Sequence, residues 1–187
     1  MDEHELIFVT GGARSGKSAW AERLATERGA PVLYLATAQA HDKEMAARIA
    51  SHRRQRPDGW KTVEAPRALA ETLVPHLPNG AVVLLDCLTL LASNIVTAEP
   101  PPDEPAAERA LTAELEALER VCAHANATLI VVSNELGQGL VPMAPISRRY
   151  RDIVGRANQR LARRAAAAWL VVSGYALNLK ALGVPVG

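Results

Sequence analysis

Five short apolar runs recur along the chain, Leu6–Thr10, Val32–Ala36, Ala81–Leu85, Thr128–Val132 and Ala168–Val172, and longer mixed stretches separate them. The runs have the length and composition of strands. The stretches Ser18–Arg28, His41–Arg53, Arg67–His76, Ala106–His124 and Arg149–Ala166 carry helix formers at helical spacing, each able to cover one face of a sheet. This alternation predicts an α/β fold in three layers, a mostly parallel sheet with helices on both faces. Two stretches break the rhythm. In Ser51–Val63, Pro57, Asp58 and Gly59 mark a turn before a short strand at Trp60–Val63, and Glu99–Pro105 is a proline-rich link into an acidic helix. Neither is long enough to separate domains, so residues 1–187 are expected to form a single unit.

Composition narrows the classes. With 187 residues, 49% hydrophobic and 22% charged, the chain can bury a sizeable core and is neither fibrous nor disordered. Its 21 Lys plus Arg against 20 Asp plus Glu leave a formal charge of +1, which gives no general attraction to nucleic acid or to an anionic membrane. The charge is unevenly placed: Val141–Gly187 holds eight basic residues and the single acid Asp152, whereas Glu99–Arg120 holds seven acids and two arginines. Cys87 and Cys122 lie in apolar or helical surroundings without metal-ligand spacing, so neither a disulfide framework nor a zinc site is expected. No segment offers about 18 uninterrupted apolar residues, and a cytoplasmic protein without membrane insertion is expected.

The chemistry concentrates after the first run. Gly11, Gly12, Ala13, Arg14, Ser15, Gly16, Lys17 and Ser18 match G-x-x-x-x-G-K-[ST] between a strand and a helix, the context in which this pattern cradles phosphates. The backbone amides and the helix N-terminus would hold the anion, Lys17 would reach the β- and γ-phosphates, and Ser18 would ligate Mg²⁺. Asp86 ends the run AVVLL and stands either beside that metal or as a cap on the element at Cys87–Leu91. Glu135, after LIVVSN, either orients metal-bound water or a substrate hydroxyl, or organises the turn LGQGLVP together with Asn134. Arg14 can contact phosphate from within the loop. Arg156, Arg160 and Arg163 share roughly one helical face, as a phosphate-binding stripe or as a solvated one.

Of the five histidines, none is paired as in a helical zinc site. His52 follows Met45 and Ile49 on one helical face and precedes Arg53, Arg54 and Arg56. Spacing leaves open whether it packs or whether its imidazole attacks phosphorus while those arginines hold the nucleotide's phosphates.

GGARSGKS, YLATAQ at Tyr34–Gln39, MAARIASHRRQRPDGW, LLDCLTLLASN, VVSNELGQGLVP and RYRDIVGRANQRLA together resemble the bifunctional adenosylcobinamide kinase and adenosylcobinamide-phosphate guanylyltransferase family of cobalamin biosynthesis. The resemblance spans nearly the whole chain, and the later segments, in this order, set it apart from other nucleotide-binding proteins. It implies a RecA-like P-loop NTPase fold and two transferase reactions. ATP or GTP phosphorylates adenosylcobinamide; a histidine then takes GMP from GTP, releases pyrophosphate, and passes the GMP to adenosylcobinamide phosphate, giving adenosylcobinamide-GDP. The family's histidine falls on His52, with Ser51 where some relatives carry a second histidine. The resemblance also places Lys17 and Ser18 at the triphosphate and Asp86 beside Mg²⁺, and it implies a symmetric homo-oligomer, trimers among them; Arg53, next to His52, is expected at the nucleotide from its position alone. Two other readings remain at this point: a kinase without a covalent intermediate, and a nucleotide-dependent regulatory module. Ser173, Gly174 and Asn178 either help recognise guanine or simply make the turn after the last predicted strand.

Overall fold

The computed structural model describes residues 5–40 and 43–186, without the side chains at positions 44, 45, 48, 51, 52 and 55. The strands β1 (Leu6–Gly11), β2 (Val32–Ala36), β4 (Val82–Asp86) and β5 (Thr128–Asn134) are buried over nearly their full length. That is the expected state of apolar runs covered on both faces. With β3 (Lys61–Glu64), β6 (Ala167–Val172) and β7 (Tyr175–Asn178), they form one seven-stranded sheet in the order β3-β2-β4-β5-β1-β6-β7. Every pairing is parallel except that of β6 with β7.

Alternate strand residues feed two cores. Ile7, Val9, Tyr34, Leu84, Ile130 and Val132 pack with Ala21, Leu24 and Ala25 of α1 (Lys17–Thr26). On the opposite face Phe8, Leu33, Leu35, Val83, Leu85 and Val131 meet residues of α3 (Leu69–Leu73), α4 (Leu88–Val96), α5 (Glu104–His124) and α6 (Pro145–Arg164). The helix α2 (Lys43–Gln55) leads through the turn at Pro57–Trp60 into β3, and α7 (Leu179–Leu182) follows β7. The result is an α/β fold with a mostly parallel mixed sheet between helices, in keeping with a P-loop-type fold.

The strands at Val32–Ala36 and near Leu6, Val82, Thr128 and Ala168 lie where the sequence predicts them. Three departures have physical causes. The predicted helix over Arg67–His76 contracts to α3 plus a 3-10 turn at Val74–His76, since Ala68 has a left-handed φ of 53° and Pro75 cannot donate a helical hydrogen bond. The stretch after Asp86 becomes a nine-residue helix, α4, with six of its residues buried, because its apolar residues cover the second core almost all round. The stretch after Val172 turns back at Ser173 and Gly174, with φ 50° and 82°, and adds the antiparallel β7. Asn178 spends its side chain capping α7, accepting from the Lys180 and Ala181 amides.

The arginine stripe is taken up by partners within the fold, neither wholly solvated nor left for phosphate. Arg156 reaches Glu108 at 3.0 Å and Glu104 at 2.7 Å, Arg160 reaches Glu116 at 2.9 Å, and Arg164 reaches Glu119 at 2.6 Å, all across the α5–α6 contact. Arg163 donates to the Val186 carbonyl. Both cysteines are buried and unbridged, as expected. Among the described residues, no helix is long and apolar enough to cross a membrane.

Candidate functional site

The carboxyl ends of the parallel strands converge where the loop after β1 enters α1, the place where open α/β sheets collect ligand groups. Gly11 has to be glycine for packing: a Cβ there would stand 2.3 Å from the Val171 carbonyl oxygen and 2.7 Å from Ser15 Oγ. The loop closes with the Ser15 amide donating to the Gly12 carbonyl at 3.2 Å, and the turn after β6 braces it through the Gly174 amide donating to the Ser15 carbonyl at 2.9 Å. Gly16 enters α1 at φ 98° without a side-chain cap, and the first turn holds no acid. The initial amides of a ten-residue helix are thereby left to an anion, which the helix dipole favours. Lys17 Nζ donates to the Gly12 carbonyl at 3.2 Å, folded over the same loop. Ser15 Oγ and Thr10 Oγ1 are buried without a partner beneath it.

A cavity of about 350 Å³ opens beside this loop, and Arg14, Lys17, Ser18, Asp86 and Arg53 all line it. Arg53 projects from α2 and pairs with Glu64 at the end of β3. Asp86 ends β4, and its Oδ2 accepts from the Tyr34 hydroxyl at 2.5 Å. The guanidinium of Arg56, the residue after α2, lies 3.4 Å from the Tyr34 ring centroid and donates to Thr62 at 2.9 Å. Burial first, then the charge of Asp86, pushes the Tyr34 phenol well above its ordinary range, so it remains a proton donor. Burial, followed by the same carboxylate, pushes the Cys87 thiol up to about 11, which leaves it neutral near pH 7. Glu22 on α1 is raised too, through burial and then Asp86, with Arg56 opposing.

The floor is a connected polar set. Thr37 Oγ1 donates to the Cys87 carbonyl at 2.8 Å and accepts from the Cys87 amide at 2.9 Å, fixing the chain just after Asp86. Asn134 donates to Thr89 at 3.0 Å, and the Tyr150 hydroxyl, pushed up to about 12 by burial, donates to the Thr89 carbonyl at 3.0 Å.

Of the residues singled out in the sequence, Ala13, Arg14, Lys17 and Ser18 of the loop, together with Asp86 and Arg53, line one cavity. Glu135 does not join them: its Oε1 accepts from the Gly137 amide at 2.6 Å, and it borders a separate depression with Arg151 and Arg156. The backbone of His52 lies on α2, but its side chain is outside the described residues. Tyr34, Asn134 and Tyr150 were not singled out as members of the site, whereas Arg56, one of the arginines after His52, was and does line the cavity. Tyr34 carried a signal in being the one residue with a polar tip in the otherwise aliphatic run VLYLA.

No group of three or more His, Cys, Asp or Glu side chains could hold a metal ion among the described residues, so an all-protein cage is absent there. A hydroxyl and a carboxylate on the wall of this cavity do fit Mg²⁺, which commonly takes one or two protein oxygens and completes its shell with water and phosphate.

The profile of the cobinamide kinase / cobinamide phosphate guanyltransferase family matches residues 7–179. The bifunctional adenosylcobalamin biosynthesis protein CobU of Escherichia coli is 44% identical over 181 residues, covering 94% of this chain and 99% of the relative. Its namesake in Salmonella typhimurium is 43% identical over 182 residues, with coverage of 94% and 99%. The bifunctional adenosylcobalamin biosynthesis protein CobP of Pseudomonas aeruginosa is 45% identical over 173 residues, with coverage of 92% and 96%.

Proposed function

Since this chain belongs to the cobinamide kinase / cobinamide phosphate guanyltransferase family and is a transferase, we propose that it carries out both reactions of that name at the cavity beside the glycine loop. The observation that carries the reading is the meeting of Lys17, Ser18 and Asp86 with Arg53 of α2, the helix that also bears His52. The core is a RecA-like P-loop unit, and residues 1–187 act as one catalytic domain.

In the first reaction the loop amides and Lys17 bind the triphosphate of ATP or GTP, with Arg14 at its edge. The hydroxyl oxygen of adenosylcobinamide forms a bond to the γ-phosphorus, the bond to the β–γ bridging oxygen breaks, and the nucleoside diphosphate leaves. Mg²⁺, when held by Ser18 and Asp86 with phosphate oxygens, offsets charge on the transferred group. Lys17 and Arg14 hold the remaining charge in a site walled partly by Tyr34 and Tyr150.

In the second reaction a ring nitrogen of His52 attacks the α-phosphorus of GTP and pyrophosphate departs, with Arg53 drawing the phosphates toward α2. A phosphate oxygen of adenosylcobinamide phosphate then displaces the imidazole, giving adenosylcobinamide-GDP and restoring the histidine. Glu135 enters only through the 135–137 turn that its carboxylate holds. The same reading takes the chain as a homo-oligomer, trimers among the family's forms.

The test is intact mass after incubation with Mg²⁺ and GTP, handled at neutral to alkaline pH because a phosphorus–nitrogen bond is acid-labile. One added GMP on the wild type and none on His52→Ala is the expected result. Adduct retained by His52→Ala would move the nucleophile elsewhere. Turnover of adenosylcobinamide by ATP with no adduct on either protein would leave a kinase alone.

A further inference from the structure

Tyr34 occupies a position that phosphate binding alone does not require. It is 3% exposed on the inner strand β2, yet its hydroxyl emerges at the cavity wall and donates to Asp86 at 2.5 Å. Its ring is covered by Arg56, whose charge sits 3.4 Å from the centroid, close enough for a strong cation–π contact in a partly desolvated place. Arg56 is held in turn by its bond to Thr62 on β3, and its Nε is buried without a partner. One aromatic side chain therefore touches two parts of the site: the carboxylate at the end of β4 and the chain leaving α2.

We infer that Tyr34 is a positioning residue that couples the metal-side carboxylate to the helix bearing His52. The phenol orients Asp86 by leaving Oδ1 as the oxygen free of that bond, and the ring gives Arg56 a seat that fixes where α2 ends. A displacement of α2 disturbs the stack, and through it the hydroxyl that orients Asp86. The arrangement has a use in a site that performs two transfers: the segment carrying the nucleophile and the groups binding the metal nucleotide would respond to each other. Partners of ligating carboxylates in general contribute strongly to metal affinity.

The inference rests on the proposed nucleotide site, and its test separates the two. Mn²⁺ in place of Mg²⁺, with a non-hydrolysable ATP analogue, allows binding to be read by electron paramagnetic resonance without turnover. Hydrogen exchange of the α2 amides is followed in the same samples. Tyr34→Phe keeps the ring and removes the hydroxyl, and should weaken Mn²⁺–nucleotide binding about tenfold. Arg56→Leu, at a partly exposed position, should both speed exchange in α2 and weaken Mn²⁺ binding, although it touches no metal ligand. In the double variant the two effects should fall short of their sum, as coupled groups do. Wild-type protein that fails to bind the Mn²⁺ nucleotide would remove the nucleotide-site reading itself. Wild-type binding with unchanged affinity in Tyr34→Phe, or strictly additive effects of the two substitutions, would overturn the coupling while leaving that reading intact. If Tyr34→Phe does not fold, Arg56→Leu decides alone: faster α2 exchange with unaltered Mn²⁺ affinity overturns the inference.

Discussion

Two adjacent glycines in the loop have different physical jobs, and the motif alone conceals this. Around Gly11 a methyl group would enter the space of the Val171 carbonyl, whereas around Gly12 no atom lies within 4 Å of the added carbon. Gly11→Ala should therefore force β1 and β6 apart, costing about 1–3 kcal/mol in the manner of an overpacked core. Gly12→Ala should stay within about 0.5 kcal/mol of wild type. Thermal unfolding checks this, with Gly11→Ala expected to melt lower by about 2 to 4 °C for each kcal/mol lost in a protein of this size. Equal melting temperatures for the two variants would refute the packing role. The loop pattern was readable from its residue types; the tight approach of Val171, 160 positions away, was not, because it depends on which strand lies beside β1. Tyr34 is the same case. Its hydroxyl has a meaning only once β2 and β4 are neighbours and Tyr34 stands two residues short of the register partner of Asp86.

Between elements, the clearest feature is the ladder of arginines on α6 facing glutamates on α5. Spacing predicted a row of charges but left its purpose open, because periodicity says which side chains share a face and not what stands opposite. The acidic helix supplies the partners: Glu104, Glu108, Glu116 and Glu119. The rungs should differ in worth. Arg156 and its two glutamates are all partly solvated, so Arg156→Ala should cost less than about 1 kcal/mol. The Glu119 side chain is only 10% exposed, and Arg164→Ala would leave its largely desolvated carboxylate without that partner, at a cost of about 1–3 kcal/mol. Urea unfolding of both variants checks the order. Neither should alter binding of a magnesium nucleotide by calorimetry; a loss of affinity in Arg156→Ala would return the stripe to the functional site. The same limit explains α4, whose run LTLLASNIV lacks a polar face to announce a helix and is recognisable only as the cover of the second core.

Across the whole molecule, the sheet divides the site into halves of unequal security. β1, β4 and β5 each lie between two neighbours and bear the loop, Asp86 and Asn134 at their ends. β3 has a single neighbour, β2, and only Val63 of its four residues is buried. The α2–β3 segment, which carries His52 and Arg53, is secured to the rest through that one pairing and through contacts such as Arg56 on Tyr34. Local openings follow such differences in burial and pairing. Native-state hydrogen exchange should therefore find β1, β4 and β5 opening only with global unfolding, while β3 and the end of α2 open at least about 2 kcal/mol sooner. β7, the other edge, is a second comparison, since its preceding Gly174 is bonded to the loop. Binding of a magnesium nucleotide should slow exchange at the Gly174 amide, because ordering the loop strengthens its hold on that turn. If β3 exchanged only with the central strands, the histidine-bearing segment would belong to the rigid half, and both proposed transfers would have to occur without its displacement. If it opens first, the proposed nucleophile His52 rides on the part of the fold best able to move while the glycine loop stays in place. In the proposed reactions an α-phosphorus and a γ-phosphorus then need not be served from one fixed position.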